Sequence, residues 1–296
     1  MAPTPQPPPR AVTGRTRVAG IVGWPVEHSL SPPMHNAEYE RLGLDWIYVP
    51  FAVEPDSLPE AVAGLRATGV AGFNVTIPHK QAVMACLDEV TDAALAVGAV
   101  NTVVFDENRR AVGHNTDAPG WIDDIQRDIL LKGLAVCVLG AGGAGRAICA
   151  AAALAGATRV LVLNRTAETG RALAEVMQER FANMVFSAET GDGPEARAAF
   201  SGCEVVVNTT PVGMAHHPGI PLPEDWLAEG QYVYDTIYTP AETALLKAAR
   251  RRGLACRNGV GMLARQGALA FGLWTGQTPD ADRMEATIRR HLASAG

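Results

Sequence analysis

Short apolar runs alternate with segments of helical periodicity along almost the whole chain, an order typical of α/β proteins. In the first third, this pattern predicts five strands, near residues 17–22, 46–51, 72–75, 99–105 and 111–114. It also predicts four helices, near residues 33–42, 58–68, 80–87 and 121–130. We therefore expect a sheet with helical connections before mid-chain.

The alternation continues in the rest of the chain. Further strands are predicted at residues 134–139, 160–163, 204–208 and 232–235, and helices at residues 147–155, 262–273 and 282–293. Two segments rich in glycine, proline and histidine, residues 191–196 and 215–223, are predicted to be surface loops. There is no internal repeat, and a length of 296 residues suggests about two domains.

A glycine-rich segment, residues 140–145, joins the apolar run 134–139 to an alanine-rich helix. In such a strand–turn–helix unit, Gly140 permits the turn, Gly142 lets backbone N–H groups approach a pyrophosphate, and Gly145 lets helix and strand pack closely. The phosphates would lie at the positive end of the helix dipole. The segment predicts a dinucleotide site, and its position in mid-chain predicts another domain before it.

The end of the next strand bears on the choice between NAD and NADP. Dinucleotide folds usually place an acidic residue there, which binds the ribose 2′-hydroxyl. In this chain, Asn164 and Arg165 follow the strand instead. A guanidinium binds a 2′-phosphate through two charge-assisted hydrogen bonds, so the sequence favours NADP. The alternative is that Arg165 is a solvated surface arginine.

Composition narrows the class of function. The formal net charge is −6, so we expect neither nucleic acid nor an anionic membrane as a partner. No apolar run is long enough to cross a bilayer, and the proline-rich start of the chain is typical of a disordered tail rather than a signal peptide. The five cysteines lack metal-ligand spacing and are expected to be free thiols in a reducing compartment, the cytoplasm.

Several short polar motifs follow predicted strands, and their combination is more specific than any one of them. Early in the chain these are GWPVEHSLSP at residues 23–32, NVTIPHK at 74–80, Asn-Thr at 101–102 and Asn-Thr-Asp at 115–117. Later come NTTPVGM at residues 208–214, DTIY at 235–238, and GVGML at 259–263 with Gln266. In this order, beside Asn-Arg-Thr at 164–166, they resemble the shikimate dehydrogenase family over residues 18–274.

The resemblance implies two α/β domains, the second a Rossmann-like doubly wound parallel sheet, with a ligand cleft between them. We expect a disordered tail at residues 1–16, a substrate-binding catalytic domain of residues 17–116 plus 260–296, and an NADP-binding domain of residues 117–259. The chain would cross between the domains near residues 116–120 and again near Gly259.

The family reduces the 3-keto group of 3-dehydroshikimate reversibly with NADPH, giving shikimate for aromatic amino acid biosynthesis. Carried over by motif, the catalytic residues would be Lys80 and Asp117. The substrate would be bound by Ser29, Ser31, Asn74, Thr76, Lys80, Asn101, Asp117, Tyr238 and Gln266. NADP would be bound by Gly140, Ala141, Gly142, Gly143, Ala144, Asn164, Arg165, Thr166, Thr236 and Gly259. A monomer or homodimer is expected.

Apart from the resemblance, the chemistry of these side chains also suits the reaction. Short polar side chains offer a polyhydroxylated ring acid many donors and acceptors at a lower desolvation cost than charges. Hydride addition places negative charge on the carbonyl oxygen, and Lys80 would serve there as proton donor or nearby cation, positioned by Asp117. Taken alone, Lys80 resembles a surface lysine, but the neighbouring Asn74 and Thr76 favour the catalytic interpretation. Asp117 would also act as a helix cap.

The chain departs from the family pattern at three positions. Ala118-Pro119 precede Gly120 after the Asn-Thr-Asp motif, and Thr236 replaces a common methionine. Thr169 stands where many NADP-dependent members carry a second arginine, and the nearest one, Arg171, lies two residues further on. Binding of the 2′-phosphate would then depend mainly on Arg165, which weakens the preference for NADP.

Two other functions stay open on the sequence. One is a quinate/shikimate dehydrogenase that uses NAD or NADP. Because quinate carries an additional C1 hydroxyl, the region of Ser29 and Ser31 would separate it from shikimate. The other is a non-catalytic NADP-binding paralogue, which the presence of both Lys80 and Asp117 argues against.

The histidines carry no predicted catalytic role. His28 and His79 are interpreted as surface or supporting groups. The pair His216-His217 lies in a loop without partner carboxylates and is interpreted as a lid or surface feature. We expect no metal site.

Overall fold

The computed structural model describes residues 11–294, whose strands form two six-stranded sheets. We number the strands β1–β12 and the α-helices α1–α10 in chain order. Most of the tail predicted at residues 1–16 lies outside the described residues. Within residues 11–16, a turn is closed by a hydrogen bond from Thr16 N to Thr13 O (3.1 Å).

The first sheet is mixed and has the order β2-β1-β3-β5-β6-β4. Strand β1 runs parallel to β2 and β3, whereas β5 runs antiparallel to β3 and β6. Its strands are β1 (Arg17–Gly23), β2 (Trp46–Ala52), β3 (Gly72–Val75), β4 (Glu89–Val90), β5 (Thr102–Phe105) and β6 (Ala111–His114). Its connecting helices are α1 (Ser31–Arg41), α2 (Leu58–Ala67) and α3 (Asp92–Val97).

The second sheet is parallel throughout and has the order β12-β11-β10-β7-β8-β9. Its strands are β7 (Ala135–Leu139), β8 (Arg159–Leu163), β9 (Val185–Glu189), β10 (Val205–Asn208), β11 (Tyr232–Asp235) and β12 (Ala255–Asn258). Its helices are α5 (Gly143–Leu154), α6 (Ala167–Arg180), α7 (Pro194–Ser201) and α8 (Ala244–Arg251). This is the predicted Rossmann-like doubly wound arrangement.

Helices cover both faces of the second sheet, so its two central strands, β10 and β7, are buried at every position. Strand β7 is buried throughout. Val136 and Val138 pack in one cluster with residues of α5 and α6, whereas Cys137 and Leu139 pack in another with residues of α7 and α8. The strand alternation therefore divides the apolar run between two cores.

Two helices join the two sheets, α4 (Asp117–Ile125) and α9 (Val260–Thr275), and the last helix, α10 (Ala281–Ser294), packs on α9 and α1. Helix α4 packs against α9 so closely that a Cβ on Gly120 would lie 2.7 Å from the Gln266 backbone nitrogen. Helix α9 then returns to the first sheet, where Trp274 Nε1 donates to Val103 O (3.0 Å). The chain leaves the first sheet just before α4 and returns to it with α9.

Some element predictions were wrong. Residues 80–87 do not form an α-helix, because only a 3₁₀-helix forms, at Ala82–Cys86. The loop predicted at 191–196 contains the start of α7 at Pro194, where proline suits the first helical turn. The helix predicted at 121–130 runs instead from Asp117 to Ile125. Strand β5 begins at Thr102, not at residue 99.

Six elements had no sequence prediction. They are β4, α3, α6, β9, α8 and β12.

None of the helices within residues 11–294 combines the length and the apolarity that crossing a bilayer requires.

Candidate functional site

A cavity of about 160 Å³ lies where the carboxyl ends of β1 and β3 meet α4, α9 and the second sheet. Its walls include most of the predicted substrate-binding residues: Ser29, Asn74, Thr76, Lys80, Asn101, Asp117, Tyr238 and Gln266. They also include three of the predicted cofactor residues, Ala144, Thr236 and Gly259. Residues that are far apart in the sequence thus converge on one space between the sheets.

Lys80 and Asp117 form an ion pair in this cavity. Lys80 Nζ donates to Asp117 Oδ2 at 2.6 Å, and the two side chains are only 16% and 7% exposed. Lys80 lies in the turn after β3, where its carbonyl accepts from Val100 N (2.8 Å). Asp117 is the first residue of α4, a position at which the helix dipole favours a carboxylate. The pair places a cation and a carboxylate beside any cavity ligand.

Asn101 holds Asp117 from the side away from Lys80. Its Nδ2 donates to Asp117 Oδ1 (2.8 Å) and reaches Gln266 Oε1 at 3.3 Å. Its Oδ1 accepts from Thr116 N (2.7 Å). These contacts orient the carboxylate of Asp117 toward Lys80, and Asn101 also lines the cavity.

Asn74 is also fixed by neighbours, two of which had no predicted role. Its Nδ2 donates to Thr102 Oγ1 (3.0 Å) and to Asn101 O (3.2 Å). Its Oδ1 accepts from Tyr48 OH (2.7 Å). Thr102 stood beside Asn101 in a recognised motif, whereas nothing in the sequence pointed to Tyr48.

Ser31 is the one predicted substrate residue that does not line the cavity. It is 2% exposed at the start of α1, and its backbone N–H donates to Ser29 Oγ (3.3 Å). Its hydroxyl hydrogen bond with Tyr48 opposes the rise that burial causes in the Tyr48 pKa. Burial also raises the pKa of Tyr238 to about 12, so this cavity residue is a neutral phenol.

The two histidines near the site differ in position. His28 is exposed, in agreement with its interpretation as a surface or supporting group, and it also lines the cavity. His79 is buried, and its Nε2 lies 2.7 Å from Val53 O, outside the cavity lining.

The glycine loop after β7 has the backbone geometry that a pyrophosphate cradle needs. Gly140 has φ +106°, and a Cβ on Gly145 would lie 2.3 Å from Gly140 O. A Cβ on Gly142 would meet nothing within 4 Å, so the N-terminus of α5 faces open space. On Gly143 it would lie 3.2 Å from Lys80 Cδ, which brings the loop next to the ion pair.

A second cavity, of about 770 Å³, extends from the end of β8 across the end of β7 to the loop after β10. Asn164, Arg165 and Thr166 line one side of it. Arg171 is not among its lining residues and lies in a separate groove on α6. The cradle and the exposed Arg165 together fit a dinucleotide with a 2′-phosphate. In the part of the chain that the structure describes, no group of three or more His, Cys, Asp or Glu side chains is placed to hold a metal ion.

The doubly wound sheet, the open glycine loop and the adjacent Lys80–Asp117 pair define a dinucleotide-dependent oxidoreductase with a ligand cleft between two sheets. Three family models match the chain. They describe the shikimate dehydrogenase substrate binding domain (residues 21–103), shikimate/quinate 5-dehydrogenase (124–190) and the shikimate 5′-dehydrogenase C-terminal domain (259–289). The chain belongs to the shikimate dehydrogenase family.

Comparisons with individual sequences and structures support this assignment. A shikimate dehydrogenase (NADP(+)) of Citrifermentans bemidjiense is 47% identical over 96% of this chain and 99% of its own length. The structure of a Thermus thermophilus shikimate 5-dehydrogenase with NADP(H) and shikimate is 39% identical, with a TM-score of 0.83 over 93% of this chain and 100% of that one. The structure of a Corynebacterium glutamicum quinate dehydrogenase with NAD is 33% identical, with a TM-score of 0.85 over 93% and 99%.

The matches confirm the class of enzyme that the sequence predicted, an NADP-dependent oxidoreductase that acts on a CH–OH group. They also confirm the predicted α/β fold with its Rossmann-like sheet. The roles of individual residues rest on the geometry described above.

Proposed function

We propose that this chain reduces the 3-keto group of 3-dehydroshikimate reversibly to shikimate, and that the cavity around Lys80 and Asp117 binds that substrate. The observation that carries the proposal is the 2.6 Å ion pair between Lys80 Nζ and Asp117 Oδ2, which lies beside the glycine loop. Around it, the cavity supplies short polar side chains suited to a small ring acid with several hydroxyls.

Bound NADPH supplies the hydride for this reaction. As negative charge develops on the carbonyl oxygen, the Lys80 ammonium donates a proton to it and becomes a neutral amine. Solvent then reprotonates the amine, and in the reverse direction the amine accepts the hydroxyl proton. Asp117 keeps the ammonium in place and accepts a hydrogen bond from a ring hydroxyl.

The other predicted substrate residues, of which all but Ser31 line the cavity, would bind and orient the substrate. Ser29 and Ser31 would bind the carboxylate, and Tyr238 would line the pocket as a neutral donor. The ring hydroxyls and the carbonyl would be contacted by Asn74, Thr76, Asn101 and Gln266. Because Asn74 Nδ2 already has two acceptors, Asn74 would contact the substrate through Oδ1, as an acceptor.

The cofactor would lie across the carboxyl end of the second sheet. Residues 140–144 would contact the pyrophosphate through backbone N–H groups, and Asn164, Arg165 and Thr166 would contact the 2′-phosphate. Thr236 and Gly259 line the substrate cavity from the second sheet, which supports a position near the nicotinamide. Because the glycine loop lies next to Lys80, the residues that would hold the cofactor adjoin the Lys80–Asp117 pair.

A steady-state assay with shikimate and quinate, each with NAD and NADP, tests the proposal most directly. We expect the highest kcat/KM for shikimate with NADP. A preference for quinate would favour the alternative of a quinate/shikimate dehydrogenase, since this chain is also similar to a quinate dehydrogenase structure. A kcat/KM with NAD equal to that with NADP would contradict the role given to Arg165. Absence of turnover with all four pairs would favour the non-catalytic paralogue.

We further propose that residues 17–116 plus 260–296 form the substrate domain and residues 117–259 the cofactor domain. The distribution of strands supports this division, since β1–β6 end at His114 and β7–β12 span residues 135–258. The five cysteines are free thiols, which supports a cytoplasmic location. For the oligomeric state we propose a monomer or homodimer, which light scattering of the purified protein will distinguish.

A further inference from the structure

Neighbouring groups hold the Asn74 side chain at both ends of its amide. At one end, the Tyr48 hydroxyl donates to Asn74 Oδ1 (2.7 Å). At the other end, Asn74 Nδ2 donates to Thr102 Oγ1 (3.0 Å) and to Asn101 O (3.2 Å), which uses both of its hydrogens. A flipped amide would set Oδ1 against the Asn101 carbonyl, two acceptors with no proton between them. Toward the cavity, Asn74 therefore offers a free lone pair on Oδ1 and no donor.

Tyr48 is itself fixed at its backbone and its ring. The Asn36 side chain donates to Tyr48 O (2.9 Å) and accepts from Tyr48 N (2.8 Å), and the His35 ring stacks on the phenol with centroids 4.3 Å apart. Burial raises the Tyr48 pKa, so the hydroxyl keeps its proton for Asn74. Tyr48 is 1% exposed and does not line the cavity. It reaches the proposed substrate residues through its hydroxyl, which bonds with Asn74 and Ser31.

We propose that Tyr48 is a positioning residue, whose hydroxyl holds Asn74 so that Oδ1 accepts a hydrogen bond from a ring hydroxyl of the substrate that does not react. The inference rests on the proposed function, because it assumes that shikimate and 3-dehydroshikimate occupy this cavity. A ring hydroxyl has a proton to donate, whereas the carbonyl to be reduced and the carboxylate have none. Asn74 thus selects for a hydroxyl on the ring and leaves the reacting carbonyl to Lys80.

This hydrogen bond acts on binding rather than on the chemical step. Because the ring hydroxyl does not react, its contact with Asn74 is the same before and during hydride transfer. Such uniform binding lowers KM and leaves kcat unchanged. We expect Tyr48→Phe, which keeps the ring on His35, to raise the KM for shikimate by about three- to tenfold, the usual value of one hydrogen bond. The kcat and the KM for NADP should stay within about twofold.

Tyr39→Phe provides the matched control. Tyr39 packs in the same aromatic cluster, with its ring 6.1 Å from that of His35, and is also 1% exposed. Among the described residues, its hydroxyl has no hydrogen-bond partner. Loss of this hydroxyl changes the core without touching Asn74, so the KM for shikimate should stay within about twofold. An equal rise in KM in both variants would mean that Tyr48 has only a structural role.

Double variants separate the route through Asn74 from the route through Ser31. In an Asn74→Ala background, Tyr48→Phe should not raise KM further, since the group that it positions is absent. In a Ser31→Ala background, it should keep its full effect. Additive effects of Tyr48→Phe and Asn74→Ala, or a fall in kcat without a rise in KM, would overturn the proposal.

Calorimetry with shikimate, 4-deoxyshikimate and 5-deoxyshikimate identifies the hydroxyl that Asn74 binds, without turnover. For one of the two analogues, the loss of affinity relative to shikimate should be about three- to tenfold smaller in Tyr48→Phe than in the wild type. Thr102→Val removes the hydroxyl at the other end of the amide and should reduce the same discrimination, which Thr102→Ser should restore. Unchanged discrimination in both Tyr48→Phe and Thr102→Val would overturn the proposal. Absence of shikimate turnover by the wild type would contradict the proposed function alone, since the calorimetric comparison does not depend on turnover.

Discussion

Asp117 illustrates how one side chain connects fold and chemistry. One of its carboxylate oxygens accepts from Asn101 Nδ2 (2.8 Å), and the other accepts from Lys80 Nζ (2.6 Å). The hydrogen bond from Asn101 orients the Asp117 carboxylate, and the carboxylate in turn positions the Lys80 ammonium. The proton donor that we propose is therefore oriented before any ligand arrives, which is the preorganisation that electrostatic catalysis requires.

Replacement of the proposed proton donor should affect turnover more than binding. We expect Lys80→Ala to lower kcat by about 10²–10⁴, the usual value of general acid–base catalysis, while the Kd for shikimate changes by only a few fold. Steady-state kinetics and calorimetry would measure the two effects. Lys247→Ala, on the exposed face of α8, is the control. An unchanged kcat in Lys80→Ala would exclude Lys80 as the acid.

A second residue-scale prediction concerns His35, which is fully buried with no hydrogen-bond partner for either ring nitrogen. It stacks on Tyr48 with ring centroids 4.3 Å apart, and burial lowers its pKa from 6.5 to about 3. Between these two values the unfolded chain binds a proton that the folded chain does not. This group therefore makes the free energy of unfolding fall as the pH falls from about 6.5 toward 3.

From pH 7 to pH 5, His35 should contribute a loss of about 2 kcal/mol in the free energy of unfolding. His35→Phe, which keeps an aromatic ring against Tyr48, should lack this part of the pH dependence. Urea unfolding of both proteins at the two pH values would measure the difference. An equal loss of unfolding free energy in the wild type and in His35→Phe would show that His35 does not cause the acid sensitivity.

At the scale of elements, α5 and the glycine loop act as one unit. A Cβ on Gly145 would lie 2.3 Å from Gly140 O, whereas one on Gly142 would meet nothing within 4 Å. We expect Gly145→Ala to destabilise the fold by about 1–3 kcal/mol, because helix and loop must separate. Gly142→Ala should change stability by less than about 1 kcal/mol. Thermal unfolding would compare them, and equal losses would contradict this account of the packing.

The sequence predicted elements best where burial and periodicity agree. Strands β3, β6 and β11 were predicted residue for residue, since each is a short segment with apolar residues, bounded by turn residues. Strand β12 (Ala255–Asn258) was not predicted, because its exposed and half-buried residues lack a continuous apolar run. At Pro194 the signal for a helix start was present, but the neighbouring glycines favoured a loop.

The sequence predicted those residues of the site that stand in short polar motifs. Asn74, Asn101 and Asp117 follow strands or begin a helix within short polar segments, so their positions in the sequence marked them. Tyr48 reaches Asn74 from β2, which is separated from β3 by β1 in the sheet. Such a contact depends on strand order, which no local pattern specifies.

At the scale of the whole molecule, a buried charged cluster joins α4 to α9 and to the second sheet. Asp124, which is fully buried, accepts from Tyr234 OH (2.7 Å) and from Arg257 (2.9 Å). Arg265, 3% exposed, lies 3.6 Å from Asp124 and 2.9 Å from Glu285 on α10. Since these contacts tie together the helices that connect the sheets, we expect this joint to be rigid.

Loss of Asp124 should therefore weaken the whole fold. Asp124→Ala removes the fully buried carboxylate that Tyr234, Arg257 and Arg265 share. Because Arg257 keeps Asp128 and Arg265 keeps Glu285, we expect a loss of about 3 kcal/mol in the free energy of unfolding, the lower end for a broken buried ion pair. Asp123 also pairs with Arg265 (3.0 Å) but is 72% exposed, and Asp123→Ala should cost at most about 1 kcal/mol. Urea unfolding would measure both. Similar losses would mean that burial of the cluster is unimportant.

The return of α9 to the first sheet has a consequence for the order of folding during synthesis. All strands of the second sheet have been made by residue 258, whereas Phe271 and Trp274, which pack on Tyr39 and Tyr48, come later. Domains generally fold as units as the chain leaves the ribosome. Helix α1 covers part of one apolar face of the first sheet early, but the rest of that face stays uncovered until α9 emerges. The second sheet is therefore able to complete its core first.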